Sequence, residues 1–473
     1  MKQAEYQISL FDGDHKLTID KPIRLIELFA GYGSQALALK YLGANFEHWK
    51  ICEWAVKSIQ AYKDLHFGDD NTDYSATKTQ DEVIDYLYSK GISANYNEPM
   101  TIDQIKRLVE EKQRVIYNNL IATHNLVSVC NCHASDLEIS DTDKYTYIMT
   151  YSFPCQDLSL AGKGLGMEKG SGTRSGLLWE VERILDECNG NLPQILLMEN
   201  VPEVIGTNNS EHFSQWVAKL DSLGYKSKWE ILNAKDYGVP QNRARCFMVS
   251  WLGNYYYDFP KKVKLEKRIK DILETNVDEK YYLNDDTIER ISKWKSQQQP
   301  LDHILNDNSC SPCLTARGGG EEHSGMILYG ETNDNRFFKQ AFETAQENEC
   351  STGDTIDAYN KKVNQSGTSP TITTRPEGFK TAILVVDEQN KYVRQDGIVG
   401  TLTTDGSSPK HNNRIIENLR IRKLTPKECG RLMGVRDKDI DTMAVNQSNS
   451  SQYHLYGDSI VVDVLMAIFG QML

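Results

Sequence analysis

An apolar run at residues 24–29 leads into Ala30-Gly31-Tyr32-Gly33, and a helical pattern follows at 34–42. A second strand, expected at 46–52 and ending at Glu53, completes a β-loop-α-β unit. Similar runs recur at 126–129, 145–150, 195–198 and 246–251, with a helical pattern at 177–188 between them. Alternation of this kind predicts a parallel, doubly wound sheet with helices on both faces. Residues 81–125 are polar and mostly helical, with Val83, Ile84 and Leu87, then Ile105, Leu108 and Val109, at helical spacing. The pattern also predicts a basic helix at 266–275, a helix at 424–435 and an apolar final helix at 459–472.

A chain of 473 residues is too long for one ordinary core and calls for two or three domains. The net charge of −13 argues against general polyanion binding but leaves room for a local basic face. Residues 261–270 and 414–436 are such stretches. No run of about 18 apolar residues exists, so no membrane span is expected. The first ten residues lack the pattern of a signal peptide. Ten cysteines without a dense framework fit a reducing cytosol.

The loop Phe29-Ala30-Gly31-Tyr32-Gly33-Ser34-Gln35-Ala36 joins a strand to a helix N-terminus. Its glycines let the backbone approach a ligand closely. Glu53 ends the next strand, twenty residues beyond Gly33, where a carboxylate accepts hydrogen bonds from ribose hydroxyls. This pattern fits an adenosine cofactor and does not separate NAD from S-adenosylmethionine. Asp136, after a later strand, is a candidate for the adenine amino group. Ser152-Phe153-Pro154-Cys155-Gln156-Asp157 puts a thiol at the carboxyl end of a strand, where open α/β sheets place their chemistry. Glu199-Asn200-Val201 and Gln241-Asn242-Arg243-Ala244-Arg245 add an acid and an anion or base clamp.

These stretches, with Thr173-Arg-Ser-Gly-Leu177, Arg431-Leu-Met-Gly434 and Gly457-Asp-Ser-Ile460, stand in the order of one family. The chain resembles the cytosine-5 DNA methyltransferases of bacteria and phages. Each short motif is weak alone, but the ordered set is specific. The resemblance runs from Pro22 to Leu473, apart from residues 64–125 and a variable region.

The resemblance implies a class I S-adenosylmethionine-dependent methyltransferase, a Rossmann-like α/β domain with a smaller, mostly β target recognition domain. The expected divisions are 1–253 for the catalytic domain with a helical insertion at 64–125, 254–445 for target recognition, and 446–473 for a helix returning to the catalytic domain. Cys155 is the implied nucleophile toward carbon 6 of cytosine. Glu199 is implied to hydrogen-bond ring nitrogen 3 and the amino group, Arg245 the carbonyl oxygen, and Arg243 to order the site or reach a phosphate. Phe29, Gly31, Gly33, Glu53, Trp54, Asp136, Pro154, Asp458 and Ser459 are implied to hold S-adenosylmethionine. Asp458 departs from the pattern, because the family usually has Asn there. Gln156, Ser159, Asn200 and Gln241 are implied to meet the DNA substrate. The glycine-rich segment 159–172 matches the family's mobile catalytic loop, which closes over a flipped-out base.

Residues 306–412 are rich in Gly, Thr, Ser, Asn and Pro, and a loose Thr-rich repeat occurs at 311–317, 369–375 and 399–405. Thr315, Arg317, Thr373, Arg375 and Thr403 are its candidates for reading DNA. Double-stranded DNA is the implied partner, acting on a monomer in the cytoplasm of a bacterium or phage-infected bacterium. The implied setting is restriction-modification, with a cognate restriction endonuclease, or phage self-protection. Three other readings stay open: an NAD-dependent enzyme, an RNA cytosine methyltransferase and a catalytically silent DNA-binding protein. Cys130-Asn-Cys132-His133 and Cys310-Ser-Pro-Cys313 carry ligand types without zinc-finger spacing, so no metal is expected.

Overall fold

The computed structural model describes residues 15–154, 167, 169, 175–281 and 424–473, and the backbone of short strands at 304–305, 311–312, 326–330, 355–357, 362–364 and 419–423. A six-stranded sheet forms its centre. The strands are β1 (Ile23–Leu28), β2 (Phe46–Cys52), β3 (Thr146–Tyr151), β4 (Ile195–Asn200), β5 (Tyr225–Asn233) and β6 (Ala244–Leu252). Their order is β2-β1-β3-β4-β6-β5. The first four are parallel, while β6 runs antiparallel to both β4 and β5. The expected α/β fold is therefore present, with one reversed strand.

Burial on both faces explains the continuous apolar runs of β3 and β4, every residue of which is buried. Period-two alternation divides them. Leu25, Ile148, Ile195 and Leu197 face one core, and Ile26, Met149, Leu196 and Met198 face the other. Helix α1 (Ser34–Leu42) and the C-terminal helices cover the first face. Helices α6 (Leu178–Glu187) and α7 (Ser210–Ser222) cover the second. In α6, Leu178, Val181, Ile184 and Leu185 fall on one stripe and are buried.

The segment after α2 (Val56–His66) folds into α3 (Gln80–Lys90), α4 (Ile102–Lys106) and α5 (Glu110–Ala122). Capping boxes at Thr79 with Glu82 and at Thr101 with Gln104 start α3 and α4. Val83, Leu87, Ile105, Ile116 and Leu120 enclose Ile59 of α2 in a separate small core. Asn119 Nδ2 donates to Gln60 Oε1 at 2.9 Å. This helical insertion is thus packed onto the catalytic domain.

The C-terminal part consists of α8 (Pro426–Leu432), α9 (Asp437–Ala444), α10 (Asn449–Asp458) and α11 (Val462–Phe469). Thr425 caps α8, with Pro426 at its first turn and Glu428 completing the capping box. Leu465, Ile468 and Phe469 of α11 are buried against the core that holds α1. Each contributes on the order of 1.5–3 kcal/mol of apolar transfer.

Several expectations shift. Residues 126–129 are not a strand: Val127 has φ +70° and its N–H donates to Asn125 Oδ1, which turns the chain. Residues 266–275 hold only a 3-10 turn, Ile269–Asp271. The final helix starts at Val462, because Ser459 is extended. Tyr257, Ile269 and Tyr281, and Leu424, Leu432 and Ile440, lie within the span expected for target recognition, yet they pack in the core that lies against the sheet. Helices α2, α7, α9 and α10 and strand β5 are additions to the sequence reading. Among the described short strands, Met326–Gly330 pairs with Ile304–Leu305 and with Leu419–Lys423, Thr355–Asp357 pairs with Lys362–Asn364, and Ser311–Pro312 pairs with Gln241–Asn242.

Gly434 has φ +76°, and a Cβ there would overlap the Asp463 carboxylate at the start of α11. Gly434→Ala is expected to lower stability by at least 1–3 kcal/mol, roughly the cost of a strained left-handed residue. Equilibrium urea unfolding of the two proteins measures the difference; equal midpoints would show that the junction yields freely.

Candidate active site

Parallel strands put their carboxyl ends along one edge, and the side chains at that edge make the site. The β1 end gives Phe29 to Gly33. Phe29, Gly31 and Gly33 all have positive φ, of 60°, 57° and 80°. A Cβ on Gly33 would lie 2.5 Å from His66 Nε2, so the close packing beneath the loop admits only glycine. A Cβ on Gly31 would meet nothing within 4 Å, because its backbone faces the pocket. His66 Nε2 lies 3.0 Å from the Tyr32 carbonyl. Burial pushes the His66 pKa well down, so the ring is neutral and Nε2 donates.

Glu53, at the β2 end, is buried. Its Oε2 accepts from Gly31 N at 2.8 Å and its Oε1 from Ala55 N at 2.7 Å. Glu53 N donates to Asn125 Oδ1, and Asn125 Nδ2 donates to the Glu53 carbonyl. Burial raises the Glu53 pKa to about 7, against these hydrogen bonds. Glu27, beneath the loop, is likewise raised by burial to about 7 while it accepts from Tyr62 Oη at 2.6 Å and Ala36 N at 3.3 Å. Trp54 is half-buried against the helical insertion. Asp136 is half-buried and accepts from His133 N at 2.8 Å, closing a 3-10 turn.

The β3 end gives Ser152, Phe153 and Pro154. Cys155, Gln156 and Ser159 lie outside the described residues, as do Thr315, Arg317, Thr373, Arg375 and Thr403. The frame that leads to Cys155 is well defined. Asn200 Nδ2 donates to the Phe153 carbonyl at 2.9 Å, and Ser175 Oγ donates to the Pro154 carbonyl at 2.8 Å. Asn200 is buried, and its bond to Phe153 positions the backbone before Cys155.

Strand β6 begins where β4 ends, because the two are antiparallel, with Asn200 opposite Cys246. That register brings Arg245 Nε within 3.2 Å of Glu199 Oε1. Ser152 Oγ donates to Glu199 Oε2 at 2.8 Å. Three strand ends thus meet at one buried carboxylate. Arg243 is buried and its Nη2 donates to the Gly457 and Ser459 carbonyls at 3.0 and 2.7 Å. Of its two expected roles, this burial fits ordering the site and removes reach to a phosphate. Gln241 is fully buried, and its Nε2 donates to the Leu432 carbonyl at 2.7 Å. This bond braces the start of β6 against α8.

A pocket opens among these ends. Phe29, Gly31, Ser34, Ser152, Asp458 and Ser459 line it, together with Ser58, Tyr96 and His454. The sequence reading missed the last three. Ser58 and His454 lie outside the short motifs, and Tyr96 sits in a polar segment with no motif of its own. Glycine backbone open to the pocket and an acidic strand end fit an adenosine cofactor.

The C-5 cytosine-specific DNA methylase family matches residues 116–473. The orphan methyltransferase M.SssI of Spiroplasma monobiae is 38% identical over 317 residues, covering 63% of this chain and 80% of that one. The type II methyltransferase M2.ScrFI of Lactococcus lactis subsp. cremoris is 30% identical over 454 residues, covering 95% of this chain and 99% of that one. The crystal structure of Schizosaccharomyces pombe Dnmt2 shares the fold, with a TM-score of 0.53 at 17% identity over 94% of this chain and 97% of that one.

Arg243→Ala removes the donor to two carbonyls at the α10–α11 junction. Each buried acceptor left without a donor costs about 1–3 kcal/mol. The variant should melt several degrees lower and show faster backbone hydrogen exchange around residues 457–460. Unchanged exchange there would show that the junction holds without the guanidinium.

Proposed function

The chain belongs to the C-5 cytosine-specific DNA methylase family and is a DNA (cytosine-5) methyltransferase, and we propose that it acts on a flipped-out cytosine, in a defined sequence, through a covalent adduct of Cys155. The observation that carries this reading is the convergence of Ser152, Glu199 and Arg245 beside the segment that leads into Cys155.

S-adenosylmethionine supplies the electrophilic methyl group. Phe29, Gly31, Asp458 and Ser459, which line the pocket, would hold it together with Gly33 and Glu53 beside them, and Trp54, Asp136 and Pro154 would complete the site. The Cys155 thiolate adds to carbon 6 of the ring, which makes carbon 5 nucleophilic. Glu199 hydrogen-bonds ring nitrogen 3 and the amino group and offsets the charge that builds during addition. Arg245 holds Glu199 in place and reaches the carbonyl oxygen of the base. Carbon 5 would take the methyl group and the demethylated cofactor would leave as a neutral thioether; loss of the carbon 5 proton to water and elimination of the thiolate then release methylated DNA. Gln156 meets the substrate beside Cys155, and Ser159 opens the glycine-rich segment that closes over the target. Thr315, Arg317, Thr373, Arg375 and Thr403 read the flanking bases. A base within a duplex is out of reach of Cys155, so flipping is part of the reaction.

We propose a monomer serving restriction-modification, with a partner endonuclease, or phage self-protection in a bacterial cytoplasm. Among the described residues no helix is long and apolar enough to cross a membrane.

Bisulfite sequencing of plasmid from bacteria expressing the chain tests the reaction. Protected cytosines should recur at one motif and vanish with Cys155→Ser. Glu199→Gln should slow methylation by roughly 10²–10³, the cost of losing a preorganised transition-state contact, with little change in DNA affinity. Full turnover by Cys155→Ser would sink the covalent route.

Cofactor affinity should also depend on pH. Ribose hydroxyls need the ionised form of Glu53, whose raised pKa is about 7. Binding therefore strengthens as pH rises through 7 and weakens as it falls below. Glu27 titrates in the same range beneath the loop, so Glu27→Gln serves as the control. Calorimetric titration from pH 6 to 8.5 reads the effect. A flat profile in both proteins would remove Glu53 from the ribose.

A further inference from the structure

Tyr96 belongs to the helical insertion, yet it lines the cofactor pocket. Its backbone has φ +61°, unfavourable for a bulky side chain. The surrounding turn holds that conformation. Ser93 N donates to the Trp54 carbonyl at 2.7 Å, and Val56 N donates to the Ser93 carbonyl at 2.9 Å. Ser93 Oγ donates to the Glu98 carbonyl at 2.7 Å. Asn95 Oδ1 accepts from Asn97 N at 2.9 Å and Glu98 N at 3.2 Å. The chain immediately before and after Ser93 is thereby fixed to the end of β2, beside Glu53.

The Tyr96 ring packs on His454 of α10, with centroids 4.0 Å apart and planes at 54°. Tyr96 Oη lies 3.3 Å from Ser58 Oγ. His454 Nδ1 stands 3.1 Å from Asp458 Oδ2. Segments separated by more than three hundred residues thus meet over the pocket, at the side bounded by the glycine loop and by Asp458 and Ser459.

We propose that Tyr96 and His454 form a clamp that closes the amino-acid end of the S-adenosylmethionine pocket, which makes the helical insertion part of the cofactor site. The inference rests on the cofactor reading above. The chemistry suits that end of the ligand. An aromatic ring attracts a sulfonium or ammonium cation. The Tyr96, Ser58 and His454 polar atoms offer hydrogen bonds to an ammonium and a carboxylate. A strained backbone held by this many hydrogen bonds is the pattern of a functional position.

Calorimetry with S-adenosylmethionine on the full chain tests the clamp, alongside melting curves without ligand and steady-state kinetics. Tyr96→Ala is expected to lower affinity about tenfold, the order of one lost aromatic contact. Tyr96→Phe should restore most of it, and His454→Asn should weaken binding while the ligand-free melting temperature holds. In kinetics, the KM for S-adenosylmethionine should rise more than kcat falls. Wild-type affinity in Tyr96→Ala overturns the clamp. So does a loss that only follows a collapse of ligand-free stability and is absent from folded His454→Asn. Failure of the unaltered chain to bind S-adenosylmethionine would instead overturn the cofactor reading itself.

Discussion

The buried guanidinium of Arg243 is the interaction on which the site depends. It lies just before β6 and donates to carbonyls at the junction of α10 and α11. A charged group this deep is costly unless it is hydrogen-bonded. Its Nη2 is used twice here, and it fixes the turn that carries Asp458 and Ser459 against the strand ends. Two residues later in the chain, Arg245 pairs with Glu199. One short stretch at the start of a reversed strand therefore secures both the cofactor wall and the acid. Gln241 adds a third tie, to the end of α8.

The reversal of β6 is itself a requirement. A parallel strand beside β4 would begin at the opposite edge of the sheet and would leave Glu199 without a cation. Running antiparallel, β6 offers its first residues at the edge where β4 offers its last. The site is thus a product of sheet topology as much as of motif, and Ser152 at the end of β3 completes it from the third strand.

Much of this was legible in the sequence. The strands at 146–151 and 195–200 read clearly because burial on both faces makes them predominantly apolar, and those at 23–28 and 46–52 read from their place on either side of the glycine loop and α1. Helix α1 read clearly because glycines bound it at both ends. Strand β5 did not, since most of its residues are only half-buried or exposed and its sequence is polar. The pairing of Glu199 with Arg245 was not legible either. Both residues were singled out, but their mutual contact depends on a strand register that no local pattern encodes. Asn200 and Gln241 sit within motifs that suggest substrate contact, yet each is buried and spends its amide on a backbone carbonyl. A motif marks a place in the site without telling which members touch the ligand. Tyr96 carried no signal at all, because its position depends on how the insertion folds back on β2.

Asp458 shows how a departure from the family pattern acquires a physical meaning. Its carboxylate is largely exposed at the pocket, beside His454. It adds negative charge to a site that already contains buried Glu53, and its field works with burial to raise the Glu53 pKa. Asn at this position would supply hydrogen bonds without that charge. A carboxylate instead raises the attraction for a cationic ligand, while moving Glu53 toward protonation near neutral pH. The two effects oppose each other in the same pocket.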